Sequence, residues 1–159
     1  MRNFLLIALV LIFFSACTQK NSAFRYFDKG DLEANATRYT KKIDIVKDTQ
    51  VDVIMMATYL NGFTQEKDLK EDSFLLYVYF SGKEEQDFIK NGYEILLNGK
   101  SPKSVEKLER DDKKYSVLML KNFWGNYYLV QFDNQELVSR LNLTLKPKAN
   151  DATLSFEKW

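Results

Sequence analysis

Two periodicities divide the chain. From Ala23 to Tyr39, the apolar residues Ala23, Phe24, Phe27, Leu32, Ala36 and Tyr39 recur near the spacing that places side chains on one side of a helix. Gly30 interrupts the run and Asp31 supplies an N-cap, so the pattern predicts helix over 22–37 in two short pieces. After Lys41 the spacing changes to period 2. Runs rich in β-branched, aromatic and leucine residues follow at 42–47, 51–60, 74–80, 93–97, 105–109, 115–120, 127–132, 140–146 and 152–157. Between them lie Asn61-Gly62, Ser81-Gly82, Asn91-Gly92, Asn98-Gly99, Asp111-Asp112, Gly125-Asn126 and Asp133-Asn134, the residue pairs that turns select.

Eight or nine short strands at this spacing predict an antiparallel β-sandwich with a short N-terminal helical segment. In the last two runs Leu141, Leu143 and Leu145, then Leu154 and Phe156, alternate with polar neighbours, so those strands show one face to water. Residues 53–57 and 74–80 are apolar on both parities. They are expected to be central strands, covered by the second sheet on one side and by the helices on the other. The stretch 115–132, with Tyr128 two residues before Val130, looks like the corner before the sixth strand of immunoglobulin-like domains, without their cysteines. An immunoglobulin-like topology is therefore preferred. A lipocalin-like barrel is the alternative, and it would enclose a ligand cavity.

The first residues carry an address. Met1-Arg2-Asn3 is a cationic head, residues 4–14 are eleven apolar residues, and Ser15-Ala16 are small. Eleven residues make about 17 Å of helix, roughly half of a bilayer core, too short for a stable span. A leader peptidase cutting after Ala16 would meet bulky Phe14 where a small residue is wanted, so plain secretion fits poorly. Phe14-Ser15-Ala16-Cys17 resembles instead the lipobox of bacterial lipoproteins, with Phe14 where leucine is usual. The resemblance implies cleavage between Ala16 and Cys17, diacylglycerol on the Cys17 thiol and an acyl group on its new amine. Thr18, in the place where inner-membrane lipoproteins commonly carry Asp, implies the outer membrane of a Gram-negative cell. The expected organisation is a signal peptide over 1–16, a lipidated tether over 17–22 and one sandwich domain over 23–159. The short N-terminal helix followed by 39–44, Ala57-Thr58-Tyr59-Leu60-Asn61 and the closing 154–158 also resembles small lipoproteins of epsilonproteobacteria that carry no known activity.

Charge and composition then narrow the chemistry. The chain has 23 basic and 22 acidic side chains, and removing 1–16 takes away Arg2 alone, leaving a balanced body. Such a body lacks the uncompensated cations that nucleic acid requires. Cys17 is the one cysteine, so no intramolecular disulfide forms. There is no histidine, which removes Ser-His-Asp and Cys-His catalysis and His-ligated metal. The acid pairs Glu71-Asp72, Glu84-Glu85 and Asp111-Asp112 stand in expected turns among lysines and read as solvated charges. No metal, cofactor or enzymatic role is expected from these residues.

Two further features stand out. Phe123-Trp124-Gly125-Asn126-Tyr127-Tyr128 is an aromatic turn, either a binding loop through Phe123, Trp124, Tyr127 and Tyr128 or a cap on the open end of the sandwich. Glu33-Ala34-Asn35-Ala36-Thr37 matches the acid-x-Asn-x-Thr pattern of bacterial N-glycosylation, which makes Asn35 a candidate acceptor. The expected function is a non-enzymatic, membrane-anchored envelope lipoprotein that binds another envelope protein as an assembly or stabilising subunit. The alternative is a carrier of a small apolar ligand at the membrane surface.

Overall fold

Eight of the nine expected runs become strands. The computed structural model describes residues 31–63, 70–146 and 151–158. The chain divides into two compact units, Met1–Gly30 and Asp31–Trp159, and the described residues all belong to the second. Helix α1 spans Asp31–Arg38, and the strands are β1 Thr40–Lys47, β2 Gln50–Tyr59, β3 Glu71–Phe80, β4 Glu94–Leu97, β5 Ser104–Leu108, β6 Asn126–Asp133, β7 Arg140–Lys146 and β8 Ala152–Glu157. The helix expected over 22–37 thus appears as α1 at its second piece, and 22–30 lies outside the described residues.

The run at 115–120 is not a strand. It is a turn containing a short 3-10 helix, Ser116–Leu118. The reason is local: Asp112 accepts hydrogen bonds from the amides of Lys114 and Tyr115, both at 2.8 Å. Ser116 then donates to the Asp112 carbonyl and Leu118 to that of Tyr115. A short acidic side chain that satisfies backbone amides in place competes directly with a sheet ladder.

The turns show where left-handed backbone is needed. Asn98 and Gly99 have φ of 49° and 81°, and Leu97 and Lys100 exchange both backbone hydrogen bonds around them, as in a two-residue hairpin. The Asn98 side chain also accepts from the Asn142 amide at 2.9 Å, which fastens this turn to β7. Between β1 and β2 the same geometry falls on Asp48 and Thr49, at φ of 49° and 68°. Thr49 is β-branched, so this turn stores strain of roughly 1–2 kcal/mol.

All strand pairs are antiparallel and form two sheets, β1-β2-β3-β6-β5 and β4-β7-β8. With β1 set aside, β2-β3-β6-β5 and β4-β7-β8 have the ABED and CFG order of an immunoglobulin constant-type sandwich. β1 is an extra strand on the edge. The sheets do not close into a barrel, which overturns the lipocalin-like alternative. The reasoning from Tyr128 is corrected as well: Tyr128 stands inside β6, the fifth strand of that order, and its hydroxyl accepts from the Asn126 amide group of the same strand at 3.3 Å.

Between the sheets one parity of each strand meets. Val53, Met55, Ala57 and Tyr59 of β2, Phe74, Leu76, Val78 and Phe80 of β3, and Tyr128, Val130 and Phe132 of β6 pack on Ile95, Leu97, Leu141, Leu143, Leu145, Leu154 and Phe156. The other parity of the five-stranded sheet is covered too. Leu75, Tyr77, Leu108 and Tyr127 form a second apolar cluster with Leu60, and Tyr115, Leu118 and Met119 lie against it. The cover expected from helices is therefore built mostly by the β5–β6 connection, with α1 packed beside its 3-10 turn.

Candidate functional site

The β5–β6 connection ends in the aromatic loop, and its shape follows from three residues. Gly125 has no room for a side chain: a Cβ there would stand 2.4 Å from the Val78 carbonyl and 2.7 Å from the Tyr77 ring. Arg110, just after β5, donates to the carbonyls of Asn122 and of Gly125, the latter at 2.6 Å, and so closes the loop at both ends. The Asn122 carboxamide accepts from the Tyr77 hydroxyl at 3.2 Å and from the Trp124 amide at 3.3 Å. Every bond is to the framework of the sheet or to the loop's own backbone. The aromatic side chains are left to be displayed.

Phe123 is 84% exposed and Trp124 67% exposed. The Arg110 guanidinium lies 5.0 Å from the centre of the Phe123 ring, and the Trp124 ring sits 6.1 Å from that of Tyr79 at 44°. Trp124 thus leans on Tyr79, on the outward parity of β3, and the rings of Phe123 and Trp124 both remain largely exposed. Tyr127 and Tyr128 are different. Both are buried, Tyr127 in the outer cluster and Tyr128 between the sheets against Phe88, so neither offers a ring to a ligand. The reason is the strand pleat: once β6 begins at Asn126, successive residues point to opposite faces, and both faces are covered. The register places the loop at the end of the sandwich where β1 and β3 finish, Val78 facing Asn126 and Val53 facing Phe80. Helix α1 enters at the other end, ahead of Thr40.

The other sequence candidates are placed separately. Cys17 and Ala16 lie outside the described residues. Asn35 is exposed in α1, and the Thr37 hydroxyl donates to the Glu33 carbonyl at 2.9 Å. On a helix two residues are about 200° apart around the axis, so Asn35 and Thr37 face different directions while α1 is intact. Among the described residues no group of three or more His, Cys, Asp or Glu side chains is arranged to hold a metal.

Of the acid pairs, one departs from the expected solvated charge. Asp72 is fully buried. It lies on the inward parity at the start of β3, where Tyr59 of β2 donates to Oδ1 at 2.8 Å, and the Gln135 amide and Lys158 Nζ each donate to Oδ2 at 2.9 Å. Lys158 donates further to the Asn134 carboxamide and to the Gln135 carbonyl. Three chain segments meet on one carboxylate: β2–β3, the β6–β7 connection and the residue after β8. Spacing did not reveal this, because its partners are 13, 63 and 86 residues away. Its groups are saturated with one another, which makes it a clamp between sheets and not a reactive centre.

Tyr59 is held strongly neutral here, by burial first, then by its hydrogen bond to Asp72 and the charge of that carboxylate. Burial likewise raises Tyr77, Tyr93, Tyr127 and Tyr128. A group whose folded pKa is raised keeps its proton after the unfolded chain has released it. Stability is therefore complete below the ordinary tyrosine value of about 10 and falls as pH rises beyond it. Melting curves with phenolate absorbance from about pH 8 to pH 11 should show tyrosine ionisation arriving together with unfolding. Tyr59→Phe should flatten that alkaline slope; phenolate appearing well below unfolding would refute the burial account.

A hollow of about 280 Å3, lined by Phe88, Ile89, Tyr93, Ile95, Pro102 and Val105, lies at the rim between the edge strands β4 and β5. It is separate from the aromatic loop. No protein-family description matches the chain, and no curated protein or solved structure matches it.

Proposed function

We propose that this chain is a lipid-anchored envelope lipoprotein that works by contact and not by catalysis, as a binding or stabilising subunit beside another envelope protein. The observation that carries the contact part is the loop at 122–125, clamped by Arg110 and Gly125 so that Phe123 and Trp124 stay exposed. Rigid, displayed aromatics contribute contact area at little entropic cost, which is the chemistry of recognition. The anchoring part rests on Phe14-Ser15-Ala16-Cys17. Two or more acyl chains on Cys17 would hold the protein stably, at about 0.8 kcal/mol per buried methylene.

The apolar-ligand reading has less support. The space between the sheets is filled by the side chains of the main core, and the hollow with an apolar lining, at the rim between β4 and β5, is small, at about 280 Å3.

The test has two arms in a native host. Globomycin should block processing, and labelled palmitate should enter the protein and be lost in Cys17→Ser; unprocessed-independent migration and absence of label would overturn the anchor. Cross-linking and affinity capture of the tagged protein from envelopes should return a reproducible protein partner. Failure to recover one would overturn the subunit role.

A further inference from the structure

The free edges of the two sheets differ in what they offer to another chain. Among the described residues β1, β4, β5 and β8 each have a partner strand on one side only. β4 has four residues and β5 five, which leaves little ladder to extend. β8 has six, but the carbonyl of its Ser155 accepts from Lys41 Nζ, so that edge is covered. β1 is the longest, with eight residues and no proline, and its bulge comes only after Ile45.

The register shows which backbone groups of β1 are unused by its own sheet. The Tyr59 amide donates to the Tyr39 carbonyl at 2.9 Å, one step ahead of the ladder that pairs Thr40 with Thr58. Hydrogen-bonded pairs therefore fall on Tyr39, Lys41, Ile43 and Ile45, and the amides and carbonyls of Lys42 and Asp44 point to the open side. Lysine ordinarily closes such an edge by its charge. Here Lys41 is committed to β8, with Nζ on the Ser155 carbonyl and 5.5 Å from the centre of the Phe156 ring, and Lys42 is paired with Asp44 at 2.8 Å. The middle of the edge is left neutral.

We propose that β1 pairs with β1 of a second copy of this chain, antiparallel about a two-fold axis at Ile43. Charge selects the occupant and the register together. Open positions must face open positions, so the central registers set Lys42 against Lys42, Asp44 against Asp44, or Lys42 against Asp44. The first two oppose like charges at the axis. The third places Lys42 of each copy opposite Asp44 of the other, a favourable cross-strand pair made twice. A two-fold contact needs a self-complementary patch, and a lysine and an aspartate two residues apart on open positions supply one. The same register sets Ile43 against Ile43 and brings Thr40 toward Val46, whose side chain is 51% exposed. Two five-stranded sheets then continue into each other, and the longest free edge disappears. The aromatic loop lies at the end where β1 finishes, so antiparallel pairing sends the two loops of the dimer to opposite ends. This contact uses neither that loop nor Cys17, so it stands or falls apart from the binding and anchoring roles proposed above.

A chain begun at Thr18 keeps the whole compact unit Asp31–Trp159 and has no cysteine. One strand pair buries little area, so self-association is expected at micromolar concentration and above. Sedimentation equilibrium should show monomer and dimer exchanging in that range. Lys42→Asp and Asp44→Lys should each weaken the dimer about tenfold or more with the melting temperature nearly unchanged, since both side chains are at the surface. Mixed in equal amounts, the two variants should associate with each other as the parent does with itself. Lys42→Asp combined with Asp44→Lys in one chain should restore the homodimer. Ile43→Cys should form a disulfide across the axis under mild oxidation, because facing residues of a non-hydrogen-bonded pair stand about 4.5 Å apart at Cα. A parent chain still monomeric at millimolar concentration would overturn the proposal. So would a dimer indifferent to both single charge substitutions, or variants that fail to associate when mixed.

Discussion

Asp72→Ala should lower the stability of the sandwich by about 3–5 kcal/mol, the loss typical of removing one partner from a buried ion pair. For a body of this size that corresponds to a fall in melting temperature of roughly 10–20 °C. The substitution leaves the Lys158 ammonium among acceptors that cannot neutralise it, and it strips the Tyr59 hydroxyl and the Gln135 amide of their acceptor. Lys158→Met should be costly for the mirrored reason, because a carboxylate with no solvent exposure loses its countercharge. Asp72→Ala combined with Lys158→Met should cost less than the two single changes added together, since no unpaired charge remains. Urea unfolding of the four proteins measures this coupling directly. Single variants within about 1 kcal/mol of the parent would mean that the pair is not a buried clamp at all.

Phe74→Ala should cost a similar amount, about 3–5 kcal/mol, by a different mechanism. Phe74 has no exposed surface, and its ring centre lies 5.0 Å from that of Tyr59, 6.0 Å from Phe132 and 5.3 Å from Phe156. Phe156 belongs to β8, so this one ring touches both sheets. Truncation removes the transfer free energy of a buried aromatic and leaves a void that rigid strands cannot collapse to fill. The informative comparison is Phe123→Ala, an identical chemical change at a position 84% exposed, which should alter stability by under about 0.5 kcal/mol. Chemical denaturation with unchanged slope and a lower midpoint is the expected result for Phe74→Ala. Equal midpoints for the two variants would contradict the assignment of one ring to the core and the other to the surface.

The contrast between Phe74 and Phe123 shows where sequence reading succeeds. Along β7 and β8, alternation alone identified Leu141, Leu143, Leu145, Leu154 and Phe156 as the inward residues, because a strand with one wet face writes its burial into every second position. On β3 the same logic could say only that both faces were covered. It assigned the outer cover to the helices, whereas that cover is built mostly by a connection whose own apolar run, 115–120, imitates a strand. Asp112 decides that case through hydrogen bonds two and three residues on, a signal too short to outweigh six strand-forming residues when only propensity is weighed.

The candidate site divides in the same way. That an aromatic turn existed at 123–128 was legible, but its six residues split between surface and core at Asn126. The split depends on where β6 starts pairing with β3, and register is a tertiary fact. Asp72 was hidden altogether, since a buried carboxylate differs from a solvated one only in its partners, and those are brought from distant segments. By itself, then, the sequence determined the strand-rich class and the inward face of each regularly alternating strand, both of which are local patterns. Only the tertiary structure decided the pairing order, the buried clamp on Asp72 and the display of Phe123 and Trp124, because each depends on contacts between residues that the chain itself keeps far apart.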